Sequence, residues 1–320
     1  MALTGVQDRE RQETTAEMEW IVCDLCGAND TEIVYTRGRF KMRLQNVICK
    51  RCGLVYVTPR MSRERYDRFC LEEYRRVYGK PVEVTDDFRR MEKARGEEIL
   101  AFVGKEFPEK GRILEIGCRT GDLLHLFRTL KGCEVYGVEP DRSLAGFGAA
   151  VLSLPVTQGL FESAEFPERF FDLIILCHVL EHSYSPTGWL EKVGRLLKPA
   201  GMVYLEVPNL DTPYGDLGFY FQQAHPYSFS PRTLQRLVEK TGFLIVRLKP
   251  KRPALQLLLE KGNRNGPVGA DEDYRLVLRS LKSYEQRYRW GGLWLKDRFQ
   301  GGMSRTRRFL KKWIIPPARS

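Results

Sequence analysis

Between Arg112 and Leu248 the chain alternates short apolar runs with segments of helical character. The runs Ile113-Leu114-Glu115-Ile116, Val135-Tyr136-Gly137-Val138, Phe171–Cys177 and Tyr204-Leu205-Glu206-Val207 read as buried strands. Strands separated by helical segments predict a parallel sheet with crossover helices. Upstream, the charged and aromatic stretch Ser62 to Phe107 predicts two helices broken near Gly79-Lys80-Pro81. Downstream, a helix is expected from about Asp271 to Trp290, followed by Gly291-Gly292 and Gly301-Gly302. The polar residues 1–19 are expected to be disordered. The expected units are then 20–60, a cysteine-bearing segment; 61–109, a helical connector; 110–255, the α/β domain; and 256–320, a basic extension.

No apolar run approaches the roughly 18 residues that span a bilayer, and the polar, acidic first 19 residues lack the apolar stretch of a signal peptide. A cytoplasmic location is expected. In that compartment eight cysteines point to a metal or to reduced thiols rather than disulfides. Cys70, Cys118, Cys133 and Cys177 lie singly among apolar neighbours and read as ordinary interior residues. The net charge of +11 is uneven: residues 275–320 hold 13 Lys and Arg against Glu285 and Asp297, which accounts for all of it. The excess belongs to an appendage rather than to the face of a folded domain, so nucleic acid is a disfavoured partner.

Cys23-Asp24-Leu25-Cys26-Gly27 and Cys49-Lys50-Arg51-Cys52-Gly53 form two matching knuckles with 22 residues between Cys26 and Cys49. Two thiolates three apart can face one ion, and the following glycine permits a tight turn expected to aim amides at the sulfurs. Four thiolates suit a closed, tetrahedral zinc ribbon that supports the fold without doing chemistry. An iron site or a pair of redox dithiols are the competing readings, and the duplicated knuckle argues against the second.

The strand Arg112–Ile116 runs into a glycine turn, and Gly121 opens an apolar helix, Asp122 to Leu130. Such a turn lets a ligand approach backbone amides at the helix N-terminus. The next strand ends on Glu139, whose carboxylate can accept from both ribose hydroxyls of a nucleoside. NAD is the first thought, but NAD sites carry G-x-G-x-x-G, and this loop reads Glu115-Ile-Gly117-Cys-Arg119-Thr-Gly121. With Glu139-Pro140-Asp141, Phe171 through His182, and Leu196 through Asn209, in order over about residues 110 to 250, the chain closely resembles the class I methyltransferases. That resemblance implies a Rossmann-like doubly wound α/β sheet that binds S-adenosylmethionine. The implied cofactor residues are Glu115, Gly117, Cys118, Arg119, Gly121, Glu139, Pro140, Phe161 and His178. The sequence departs from the family at Arg119, where the middle glycine stands, and at Ala200. Arg119 is expected to crowd the loop beside the amino-acid end of the cofactor.

His178-Val-Leu-Glu181-His182 also fits an H-x-x-E-H protease pattern, but it directly follows an apolar strand rather than lying on a long helix. His182 reads as a polar residue packed at a helix start, and His178 as a contact to substrate or to the methyl-bearing sulfonium. His225 is the candidate base, on a loop before a helix capped by Ser230 with Pro231 at its first position. Tyr214, Tyr220 and Asn209 are further candidate acceptor contacts. The ribbon, ending Cys52-Gly53-Leu54-Val55-Tyr56-Val57-Thr58-Pro59-Arg60, resembles bacterial methyltransferases acting on sugars and small metabolites. The sugar C-methyltransferases among them carry Glu-His where this chain has Ala224-His225, so O- or N-methylation is favoured over C-methylation. The basic stretch 275–320, with Trp290, Trp294, Phe299 and Trp313, is expected to lie on an anionic membrane, to pack against this chain or another subunit, or, less favoured, to contact nucleic acid. A small-molecule or glycan-precursor acceptor is the expected partner. The reading from another class is a catalytically degenerate fold acting as an adaptor for membrane or nucleic acid.

Overall fold

The computed structural model describes residues 17–78, 84–104, 109–251, 253–262 and 272–290. Five short strands come first: Met18–Glu19 (β1), Thr31–Arg37 (β2), Arg43–Cys49 (β3), Val55–Val57 (β4) and Arg60–Met61 (β5). The helix Arg63–Arg68 (α1) passes through a π turn, Phe69–Glu73, into Tyr74–Tyr78 (α2). The helix Asp86–Val103 (α3) follows, its N-terminus capped by Thr85, which accepts from the Phe88 amide.

The α/β unit then runs Arg112–Ile116 (β6), Asp122–Lys131 (α4), Glu134–Glu139 (β7), Arg142–Leu152 (α5), Val156–Gln158 (β8), Phe171–Cys177 (β9), Pro186–Leu196 (α6) and Leu197–Pro208 (β10). Leu217–Tyr220 (α7), Tyr227–Ser228 (β11), Pro231–Lys240 (α8), Phe243–Lys251 (β12), Ala254–Lys261 (β13) and Glu272–Trp290 (α9) complete the order. Seven strands form one sheet in the order β12-β13-β10-β9-β6-β7-β8. Strand β13 runs antiparallel to both its neighbours, whereas β10, β9, β6, β7 and β8 are mutually parallel. This is a Rossmann-like sheet. Its chain order reverses between β6 and β9, which opens a crevice at the strands' carboxyl ends.

The structure departs from the expected organisation in two places. Strand β13 reaches Lys261 and is paired on both sides, so the sheet runs past the expected boundary at 255. The ribbon sheet β2-β3-β4 takes its fourth strand, β11, from the loop that carries His225. Its knuckle residues Cys23, Leu25 and Cys52 share one core with Phe229, Leu234 and Trp189 of the α/β unit. Helix α9 takes the packing alternative expected of the basic extension. Its buried residues Val277, Leu281 and Tyr284 pack with Leu44, Ile48 and Val57 of the ribbon and with Leu217 and Phe221. That part of the basic extension therefore spends its apolar face on protein. Residues 291–320, with Trp294, Phe299 and Trp313, lie outside the described residues. Among the described residues, no helix is long and apolar enough to cross a membrane.

Candidate cofactor and acceptor site

A cavity of about 490 Å³ opens at the carboxyl ends of β6, β7, β9 and β10 and is roofed by α1 to α3, a size usual for small-ligand sites. Its floor is the loop after β6. Gly117 has φ 73, and a Cβ there would lie 2.5 Å from Val179 Cγ1, so glycine is required both for the turn and for the approach of the next loop. Glu139 ends β7 on the wall of the cavity. Its two carboxylate oxygens each accept one backbone amide, Oε2 from Arg119 N and Oε1 from Asp141 N, both at 2.9 Å. The carboxylate is thereby oriented while each oxygen keeps lone-pair capacity, the arrangement that receives a vicinal diol. Burial raises its pKa above the ordinary value, and the two amides and Arg75 counter that.

Glu115, on the cavity floor, is buried, and its Oε2 accepts no hydrogen bond within the protein. Burial first, then the charge of Glu92, pushes its pKa well up. A buried acceptor without a donor is costly, and a ligand ammonium or hydroxyl would satisfy it. Arg119, at φ 53, stands on the loop at the cavity wall. Its guanidinium is drawn up to Glu92 and lies over the Phe88 ring at 4.6 Å, which straps the glycine loop to α3. Arg75 of α2 similarly bonds Asp141 at 3.1 Å. The site thus fits S-adenosylmethionine on its own terms: a glycine cradle, a diol-accepting carboxylate, and an orphan carboxylate oxygen.

The opposite side of the cavity carries histidines. His178 follows β9 in the left-handed region, φ 55, with Nε2 at 3.0 Å from Glu206 Oε1 and Nδ1 at 3.5 Å from Glu181 Oε1. Burial lowers its pKa, but the two carboxylates outweigh burial and raise it to about 9. Both ring nitrogens of His178 thus face carboxylates at the edge of the cavity. Glu206 is held well below the usual carboxylate range, its burial overcome by His178, Tyr204 and Arg95.

His182 closes a 3-10 turn, Leu180–His182, and its Nδ1 lies 2.7 Å from Ala224 O. Its ring meets that of His225 edge-on at 4.5 Å. Gln222 Nε2 sits at 3.0 and 2.8 Å from the two nitrogens of His225. Burial, then the charges of His182, Arg39 and His178, pushes the His225 pKa well down.

Seven of the expected cofactor residues (Glu115, Gly117, Arg119, Glu139, Pro140, Phe161 and His178) line this cavity, and His225 and Tyr214 line its other end. Four expected contacts do not. Cys118 turns its sulfur under the sheet, where a Cβ on Gly137 would meet it at 2.6 Å. Gly121, at φ 76, serves as the N-terminal cap of α4 against Leu154. Tyr220 is buried in the ribbon core, and Asn209 bonds the Asp211 amide at 2.9 Å. Sequence reasoning missed the lining residues Glu181, His182, Glu92 and Arg95. The H-x-x-E-H pattern was the available signal for the first two.

Outside the cavity, Cys23, Cys26, Cys49 and Cys52 bring their sulfurs within 4.8 Å of one another, with Cys23–Cys52 at 3.4 Å and Cys26–Cys49 at 3.5 Å. Four thiols at that spacing suit one tetrahedral ion with bonds of about 2.3 Å. The knuckles turn tightly, Gly27 N–H and Gly53 N–H bonding Cys23 O and Cys49 O, both at 2.8 Å. In the second knuckle backbone amides reach the sulfurs as expected, those of Arg51 and Cys52 toward Cys49 and that of Leu54 toward Cys52. Asp24 docks this knuckle on the start of α6, accepting from Ser185 Oγ at 2.6 Å and Thr187 N at 2.9 Å.

Residues 87–248, just over half of the chain, match the family model described as "Methyltransferase domain". Two similar curated proteins are both named "Ubiquinone biosynthesis O-methyltransferase". That of Nitrobacter winogradskyi is 33% identical over 31% of this chain and 39% of its own length. That of Dechloromonas aromatica is 30% identical over 35% of this chain and 48% of its own length. The chain thus spans less than half the length of these relatives. Among solved structures, the PH0226 protein of Pyrococcus horikoshii aligns at 16% identity and a TM-score of 0.47, covering 59% of this chain and 99% of that one. A "SAM dependent methyltransferase from Aquifex aeolicus" aligns at 18% identity and a TM-score of 0.45, covering 54% and 93%.

Proposed function

Because the chain belongs to the methyltransferase-domain family, we propose that it transfers a methyl group from S-adenosylmethionine to an oxygen or nitrogen of a small metabolite or sugar. One observation carries the reading. Glu139, oriented by two backbone amides with lone pairs to spare, and Glu115, with an orphan Oε2, line the same glycine-floored cavity. They match the two polar ends of an amino-acid-bearing nucleoside. The cofactor supplies an electrophilic methyl group on a positively charged sulfur. The protein's share is then to hold an acceptor in line and to exclude water. Glu139 would hold the ribose hydroxyls and Glu115 the amino-acid end, while Arg119 and Arg75 close the cavity from above.

The acceptor belongs at the end lined by Tyr214, Gln222 and His225. His225 is the group placed to take a proton from a hydroxyl. His178 is instead engaged by Glu206 at 3.0 Å and faces Glu181 at 3.5 Å. With alanine at 224, the chain lacks a carboxylate neighbour for His225 at that position, which supports O- or N-methylation over C-methylation. The O-methyltransferase names of the Nitrobacter and Dechloromonas relatives agree with this. We further propose that the four ribbon cysteines hold a structural zinc. It would brace β4, and through the β4–β11 pairing it would brace the loop carrying His225.

The test is an acceptor screen with S-adenosylmethionine, using hydroxyl-, amine- and carbon-acid-bearing metabolites and reading S-adenosylhomocysteine release and product mass. Turnover of a hydroxyl or amine acceptor, lost in Glu139→Ala, is expected. Turnover confined to carbon acids would overturn the choice of acceptor atom.

A further inference from the structure

We propose that Glu181, His182 and His225 form a site for one divalent transition-metal cation at the acceptor end of the cavity. The inference rests on reading that cavity as a methyl-transfer site, and it deepens that reading. Each of the three residues offers one ligand atom, and these atoms all lie within 4.8 Å of one another. They come from different places: Glu181 and His182 from the turn after β9, and His225 from the loop before β11.

Two features mark a built site rather than a chance meeting. The first is His182, whose Nδ1 is tied to the Ala224 carbonyl at 2.7 Å. That bond places the proton on Nδ1 and leaves the Nε2 lone pair free. A ligating histidine is usually oriented in this way, by a hydrogen bond from its other nitrogen to a carbonyl or carboxylate. The second is Glu181, which is 2% exposed and whose Oε2 accepts no hydrogen bond within the protein. Its other oxygen lies 3.5 Å from His178 Nδ1, and His178 is bound more closely by Glu206, at 3.0 Å. A buried carboxylate with one oxygen lacking a donor, and with an oxygen within 4.8 Å of two imidazole nitrogens, is a donor set short of its cation.

The ligand chemistry selects the ion. Two imidazoles and one carboxylate suit zinc, manganese, iron or cobalt, whereas calcium and magnesium prefer all-oxygen surroundings. Three protein ligands also leave positions open, unlike the closed four-cysteine site. All three residues line the cavity. An acceptor oxygen could therefore complete the coordination, the cation then acidifying the hydroxyl in place of the base role otherwise open to His225, which makes hydroxyl- or carbonyl-bearing acceptors the class this site would take.

Cobalt(II) titration of the zinc-loaded 320-residue chain tests the proposal, with S-adenosylhomocysteine binding measured on the same sample. One equivalent of cobalt should bind with ligand-field absorption and without the thiolate charge-transfer bands of a cysteine site. Calcium should not displace it. His225→Ala and Glu181→Gln should each weaken cobalt binding by about tenfold or more while S-adenosylhomocysteine still binds. Cofactor binding without a second cobalt site, or cobalt bands of thiolate type alone, would overturn the metal proposal and leave the cavity reading intact. Absence of S-adenosylhomocysteine binding by the wild type would instead overturn the cavity reading.

Discussion

Glu139→Gln separates a ligand-binding carboxylate from a structural one. In the folded protein each oxygen of Glu139 accepts one backbone amide at 2.9 Å. Glutamine offers one acceptor oxygen, so one amide must face an NH2 group and loses its bond. Against that, the substitution removes a buried charge whose pKa burial has already raised. The two effects oppose each other at about 1 to 2 kcal/mol each, so the unliganded protein should melt within roughly 3 °C of wild type. The bound nucleoside has no such compensation. One of its hydroxyls loses a charged acceptor, worth about 1.5 to 3 kcal/mol, and meets a donor instead. A total of about 2 to 4 kcal/mol corresponds to roughly 30- to 1,000-fold weaker binding. Isothermal titration with S-adenosylhomocysteine, beside melting of the unliganded proteins, reads both quantities. Binding within threefold of wild type would refute the assignment of Glu139 to the ribose. A melting loss larger than roughly 10 °C would show the residue to be structural.

Two further outcomes follow from particular contacts. Because burial raises the Glu139 pKa above 4.5 and only the carboxylate accepts from both hydroxyls, S-adenosylhomocysteine affinity should fall as pH drops through that raised value. The same titration of Glu139→Gln should be shallower over this range, since Glu115 remains, and parallel curves for the two proteins would contradict the cause. Leu281→Ala, which removes a side chain only 4% exposed between α9 and the ribbon, should cost about 2 to 4 kcal/mol in urea unfolding. A loss under about 0.5 kcal/mol would mean that α9 is not part of the packed core.

The cysteine knuckles, the glycine turn and the acidic end of β7 were legible in the sequence because each is local chemistry at short spacing. Ser230 and Pro231 were legible for the same reason, as the cap and first turn of α8. What escaped was long-range. Nothing near Tyr227 announces that it pairs with Tyr56 of the ribbon. Nor does the charged surface of α9 advertise that Val277, Leu281 and Tyr284 cover the same sheet. Strand β13, a run of apolar residues beyond the expected boundary, lacks the alternation that marks a half-exposed strand, because it is paired on both edges and buried. Arg119 was legible as a departure from glycine, but its destination was not. Its reach to Glu92 depends on where α3 lies. His182 was read singly, although its role is set by Ala224 and His225 more than 40 residues downstream.

The most direct test is equilibrium binding to the zinc-loaded wild-type chain, with S-adenosylhomocysteine and NAD titrated side by side. The cavity described here predicts saturable one-to-one binding of the adenosyl compound and no measurable heat with NAD. Binding of NAD alone, or of neither ligand, would contradict the account.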